Sequence, residues 1–198
     1  MSFNTHWSAK YFFSAFMTLV LPVHLLASTS TNTSAISYTT TGSHPLLPGS
    51  RMLGEASLRY WGLRIYNARL WTLPTVRIDQ VTDHPMVLEL EYHRDLKGAS
   101  IADRSLSEML RGGAIPEPQA QQWLTQMQRI FPDIKTGDKL TGHHHPGQGV
   151  GFTYNGRSIG RIDDPEFSRR FFGIWLSPTT SQPEMRTSLL GLGSAKDR

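Results

Sequence analysis

Residues 54–71, GEASLRYWGLRIYNARLW, are an unbroken run of strand-forming residues with an arginine every few positions. Read as one strand, alternation puts Leu58, Tyr60, Gly62, Arg64, Tyr66, Ala68 and Leu70 on one face. Arg59, Trp61, Leu63, Ile65, Asn67, Arg69 and Trp71 fall on the other. Both faces mix apolar bulk with cations, unlike a strand that only covers a core. Burying Arg59, Arg64 and Arg69 unpaired would cost roughly several kcal/mol each. Some of them are therefore expected to face solvent, and one to face a ligand. For any one of them, snorkelling at a strand end or pairing with Glu55, Glu89 or Glu91 is an equally good account.

Downstream, PMVLELEY (residues 85–92) sets Val87, Glu89 and Glu91 against Leu88, Leu90 and Tyr92 at period two, a strand with one wet face. The segments 148–156 and 157–162 meet at Asn155-Gly156, a strong hairpin signal. Helices separate and follow these strands. Residues 116–131 place Ala120, Trp123, Leu124, Met127, Ile130 and Phe131 on one side and glutamines on the other, starting at prolines and stopping before Pro132. Asp164-Pro165-Glu166 provides an N-cap, a first-turn proline and an acid at the positive helix end, ahead of Phe167, Phe171, Ile174 and Trp175. A shorter helix is expected over 101–111, ending at Gly112-Gly113. A last one runs from a Ser181/Glu184 capping box through Met185 and Leu189 to Gly191. Clustered strands with helices between and after them predict an α+β domain, with helices on one face of a mostly antiparallel sheet.

The N-terminus is read separately. Lys10 precedes the apolar stretch 11–26, Ala27 follows, and a Ser/Thr tract begins, which is the order of a secretory signal. Residues 1–27 are expected to be a cleaved leader, giving a periplasmic or secreted protein; an uncleaved anchor is the competing reading. Residues 28–50 have the composition of a flexible arm, 51–192 that of the folded domain, and 193–198 that of a tail. Cysteine is absent, so the fold must rest on its core, and about 170 residues suffice for one. Cleavage removes Lys10 and no acidic residue, lowering the net charge from +4 to +3. That surplus is scattered arginine. It is too diffuse for nucleic acid but suits an anionic small molecule or a peripheral membrane contact.

Other chemistries find little support. His143-His144-His145 cannot all reach one ion from an extended strand, and no cysteine or His-Glu-x-x-His pattern accompanies them. An exposed hairpin loop between Gly142 and Gly147 is expected instead, with no metal and no cofactor. No Gly-x-Ser-x-Gly elbow is present, and Gly147-Gln148-Gly149-Val150-Gly151 lacks the strand-to-helix context of a nucleotide loop.

Five stretches together resemble the exported bacterial branch of the chalcone isomerase-like family. They are residues 54–71, LELEYHRDLKG (88–98), IFPDIKTGDKLTG (130–142), GVGFTYNG (149–156), and FFGIWLSP (171–178) with LLG (189–191). The resemblance implies an open-faced β-sandwich, a large antiparallel sheet backed by helices. Its plant enzymes cyclise chalcones by orienting a phenolate against an enone, with a cation for the oxyanion and a tyrosine to donate a hydrogen bond. Relatives without that activity bind fatty acids through an arginine. Carried over residue by residue, the family arginine matches Arg59, with Arg51 as runner-up, and Arg64 is a further ligand-binding candidate. Tyr66 falls where fatty-acid binders carry a tyrosine. The catalytic tyrosine position is held by Ile101 and a later asparagine position by Glu108, which argues against flavonoid cyclisation. The expected function is binding of a fatty acid or similar amphipathic anion. An isomerase or lyase using Arg59 and Tyr66 on a non-flavonoid enone, or an envelope protein serving a protein partner, are the alternatives.

Overall fold

The computed structural model describes residues 42–195. The expected leader and most of the expected arm lie outside them. Six strands form one antiparallel sheet in chain order: β1 (Arg51–Tyr60), β2 (Leu63–Thr72), β3 (Met86–Tyr92), β4 (Lys139–His145), β5 (Gly149–Tyr154) and β6 (Arg157–Ile162). Four helices complete the domain: α1 (Gly98–Arg111), α2 (Glu117–Ile130), α3 (Pro165–Leu176) and α4 (Pro183–Leu189). The expected α+β architecture, a large antiparallel sheet backed by helices, is what is found. Among the described residues, no helix is long and apolar enough to cross a membrane.

The opening run is two strands rather than one. Trp61 and Gly62, at φ 51° and 77°, make a two-residue turn that pairs Tyr60 with Leu63 and Leu58 with Tyr66. A second hairpin turns in the same way at Asn155-Gly156, with φ 48° and 79°. Asn-Gly announces such a turn because both residues tolerate left-handed backbone, whereas Trp-Gly does not.

Alternation gives the sheet two unlike faces. Ala68, Leu70, Leu88, Leu90, Leu140, Val150 and Phe152 point to the helices and are buried there with Trp123, Met127, Phe167, Phe171 and Phe172. The other face carries a charged ladder in which Arg69 bridges Glu55, Glu89 and Glu91, and Lys139 reaches Glu89. Pairing thus satisfies Arg69, one of the three arginines of the opening run. Residues 42–50, expected in the loose arm, pack on this face. Leu47 joins Trp71 and Val87 in a small apolar cluster, and His44 stacks on Trp71 with ring centroids 5.6 Å apart.

Capping follows the sequence at α3, where the Asp164 carboxylate accepts from the backbone N–H groups of Glu166 and Phe167. At α4 the expected Ser181/Glu184 box is absent. Gln182 occupies the N-cap with no side-chain bond, because Pro183 starts the helix one residue later than that box requires. Gly191, at φ 66°, follows the end of α4 as expected.

The histidine triplet is also not a loop. His143–His145 end β4, and alternation separates them. His143 and His145 meet at a tilt on the ladder face, centroids 4.1 Å apart, while His144 is buried against Phe172. Its ring nitrogens bond Ser168 Oγ at 2.6 Å and the Thr82 carbonyl at 2.9 Å. Among the described residues, no group of side chains could hold a metal ion.

Candidate functional site

Tyr66 lies on β2, on the helix-facing side, where β2 approaches the hairpin turn. Its ring meets Tyr92 edge-on at 5.6 Å, and its oxygen accepts a hydrogen bond from Trp175 Nε1 on α3 at 3.0 Å. Burial pushes its pKa up to about 12; the Trp175 bond opposes that rise, the Glu108 charge adds to it and Arg104 subtracts. Tyr66 therefore stays a neutral O–H donor at any physiological pH. Among the described residues no acceptor takes that proton, so this half-buried residue at the edge of the core has an unused donor.

Glu108 faces this phenol from α1. Its side chain is only 8% exposed, and Arg104 and Arg111, one turn to either side, pair with it. Both guanidinium partners of this buried acid come from its own helix, and among the described residues no cation of the sheet pairs with it. The register carried over from the family resemblance had put Glu108 at a site position, and the structure sets it within electrostatic reach of Tyr66. Beyond Glu108, a cleft of about 60 Å³ separates the C-terminal halves of α1 and α3, lined by Glu108, Arg170, Ile174 and Thr180 among others. That is room for a few waters and not for an acyl chain.

The arginines are placed unequally. Arg59 and Arg64 are direct cross-strand partners, both exposed, in the pair next to Leu58–Tyr66, and the register shifts between these two pairs. Arg51 pairs with Thr72 at the far end of the hairpin, six residues from Tyr66 along β2 and about 20 Å away at the usual strand rise. The turn at Trp61-Gly62 causes this split, because it folds the start of β1 back along β2. So Arg59, Arg64 and Tyr66 are brought to one end of the sheet and Arg51 is not. Trp175 and Arg104 went unrecognised from sequence. Trp175 read as one member of an apolar helix face, and only the fold reveals that its N–H meets the phenol. Ile101 sits half-buried on α1, an apolar side chain with no hydrogen bond to give.

An antiparallel sheet backed by helices, with a tyrosine of the second strand bonded to α3, is an α+β domain. Residues 56–191 match the family model described as chalcone isomerase-like, and the chain belongs to that family. An uncharacterized protein of Haemophilus influenzae is 26% identical over 139 residues, spanning 70% of this chain and 67% of that one. Among solved structures, a fatty-acid binding protein of Arabidopsis thaliana superposes with a TM-score of 0.54 at 14% identity. The match covers 72% of this chain and 87% of the plant protein. At that identity the likeness speaks for the fold.

Proposed function

We propose that this is an exported binding protein for a fatty acid or a similar amphipathic anion, without flavonoid cyclisation. The observation that carries the reading is the buried Tyr66 O–H, which has no acceptor among the described residues and lies beside the end of the sheet where Arg59 and Arg64 stand. A carboxylate would accept from the phenol and be neutralised by a guanidinium at the mouth, while its chain lies among apolar side chains. The fold likeness to a fatty-acid binding protein supports the same ligand class. Ile101 on α1 supports the absence of cyclisation, since an aliphatic side chain cannot donate to an enone. The leader-like order of residues 1–27 supports export.

The cleft between α1 and α3 is too small for an acyl chain, so binding requires these two helices to part. The test is an organic extract of the purified protein analysed by mass spectrometry, followed by titration with a fluorescent fatty acid. The expected result is a co-purifying acyl lipid and saturable binding that Tyr66→Phe weakens roughly 10- to 100-fold, the scale of one hydrogen bond to a charged group. An empty extract together with non-saturable titration would overturn the reading.

A further inference from the structure

Three of the large apolar side chains that the described residues expose are consecutive or nearly so in one turn. Trp61 is 83% exposed, Tyr60 54% and Leu63 49%, whereas Ile78, Leu110 and Leu192 are scattered singly. Isolated exposed apolar residues need no explanation, but a contiguous set does. Tyr60 and Trp61 lean on each other, with centroids 6.2 Å apart, and on little else.

The backbone sharpens the point. Trp61 holds a left-handed conformation that bulky residues avoid, at a position where asparagine is the low-strain choice. This same chain uses asparagine at the equivalent position of its other tight hairpin, Asn155-Gly156. Nothing in the domain rewards the tryptophan: it fills no core and makes no hydrogen bond among the described residues. Directly behind it, Arg59 and Arg64 face one another across the hairpin, an arrangement of like charges that repels. Among the described residues neither forms an ion pair, while Arg69, on the same strand as Arg64, has three carboxylate neighbours.

We propose that the end of the β1–β2 hairpin is an interfacial anchor for an anionic bilayer surface. Trp61, Tyr60 and Leu63 enter the headgroup region, and Arg59 and Arg64 meet lipid phosphates behind them. Amphipathic aromatic rings settle at that depth, and a guanidinium binds phosphate bidentately, so the order of side chains along the hairpin axis matches the order of layers in the membrane. The charge of the two unpaired arginines selects an anionic surface over a neutral one. This anchor stands whether or not the domain takes a ligand beside Tyr66.

The test uses the full chain with Trp7→Phe, leaving Trp61 as the exposed tryptophan beside the buried Trp71, Trp123 and Trp175. Vesicles of brominated phosphatidylcholine, with or without phosphatidylglycerol, report contact between Trp61 and acyl chains. The apolar stretch 11–26 can itself bring the chain to any vesicle, so the readout is quenching at Trp61 and not the bound fraction. The expected result is a blue shift and quenching on phosphatidylglycerol vesicles, both lost in Trp61→Asn. That variant suits the turn and leaves the near-ultraviolet circular dichroism of the buried aromatics intact. Arg59→Gln/Arg64→Gln should weaken the quenching transition about 30-fold, the value for two cations at an anionic surface. Trp61 unquenched on vesicles that carry the chain overturns the proposal, as does quenching indifferent to lipid charge and to the two arginines. A lipid-free dimer, seen in sedimentation and abolished by Trp61→Asn, overturns it in favour of a protein interface.

Discussion

Trp175 Nε1 donates to the Tyr66 oxygen across 3.0 Å, and this bond ties α3 to β2 of the sheet. The two ends of the bond are unequal. Trp175→Phe removes a donor and leaves a phenol that water or ligand can satisfy, so the expected cost is about 1 kcal/mol. Tyr66→Phe strands a buried indole N–H and should cost about 1–3 kcal/mol. Urea denaturation of the two variants checks the order. Spectrophotometric titration of Trp175→Phe should also show Tyr66 ionising above its present value of about 12, because the indole bond favours the phenolate.

Asp164 carries two loads. One carboxylate oxygen caps α3, and the other accepts from Trp123 Nε1 on α2 at 2.8 Å. Asp164→Ala should lose both, about 1 kcal/mol for the cap and about 1–3 for the stranded indole. Asp164→Asn keeps an oxygen for the cap and should recover part of the loss. Denaturant midpoints of the two variants measure the cap, and an Asp164→Asn midpoint equal to that of the wild type would show that the indole contact adds nothing.

At Gly54 the chain has no space for a side chain. A Cβ there would overlap the Ser188 and Leu189 carbonyl oxygens of α4, which are backbone and cannot swing aside. Gly54→Ala is therefore expected to push α4 off β1 and destabilise the domain by more than about 3 kcal/mol, the range of severe overpacking. Gly156→Ala, where a Cβ meets open space but φ is 79°, should cost only about 1 kcal/mol in backbone strain. Thermal unfolding of the pair separates a steric clash from conformational strain.

Acid should unfold the protein in two stages. Burial, reinforced by His145, His44 and His144, lowers the His143 pKa to about 4. Above pH 6.5 the ring is neutral in both states and contributes no slope. Below it the unfolded chain takes up a proton that the folded protein refuses until about pH 4, so stability falls across that interval. The Glu89 carboxyl is held at about 2, chiefly by His44, against the cost of burial and with help from Lys139 and Arg69. Its stabilisation is whole above about 4.5 and is lost as pH falls towards 2. His143→Gln should flatten the upper stage and Glu89→Gln the lower, read from urea midpoints at a series of pH values. A wild-type profile level between pH 6.5 and 4.5 would rule out the histidine contribution.

Much of the domain is legible in the residues because local signals agree with tertiary demands. Helix α3 announces itself through Asp164-Pro165, α2 through its apolar spacing, and the β5–β6 hairpin through Asn155-Gly156. The β1–β2 hairpin is not legible, since Trp61 breaks the turn rule that Gly62 alone only hints at, and two strands read as one. Arg51, the runner-up that the family resemblance offered, stands at the other end of that hairpin from Tyr66. His144 was hidden for another reason: nothing local distinguishes the histidine whose face is buried from its two neighbours until the register of β4 is known. The Trp175–Tyr66 bond joins residues 109 positions apart, and no spacing rule spans such a distance.

The sheet is a plain meander in which every strand pairs with those adjacent to it in the sequence. A polypeptide emerging N-terminus first would find each new strand's partner already waiting, with no early edge held open for a distant segment. With no cysteine in the chain, such assembly needs no oxidant either. An order of pairing that follows the order of emergence lets the sheet grow one hairpin at a time from its N-terminal edge.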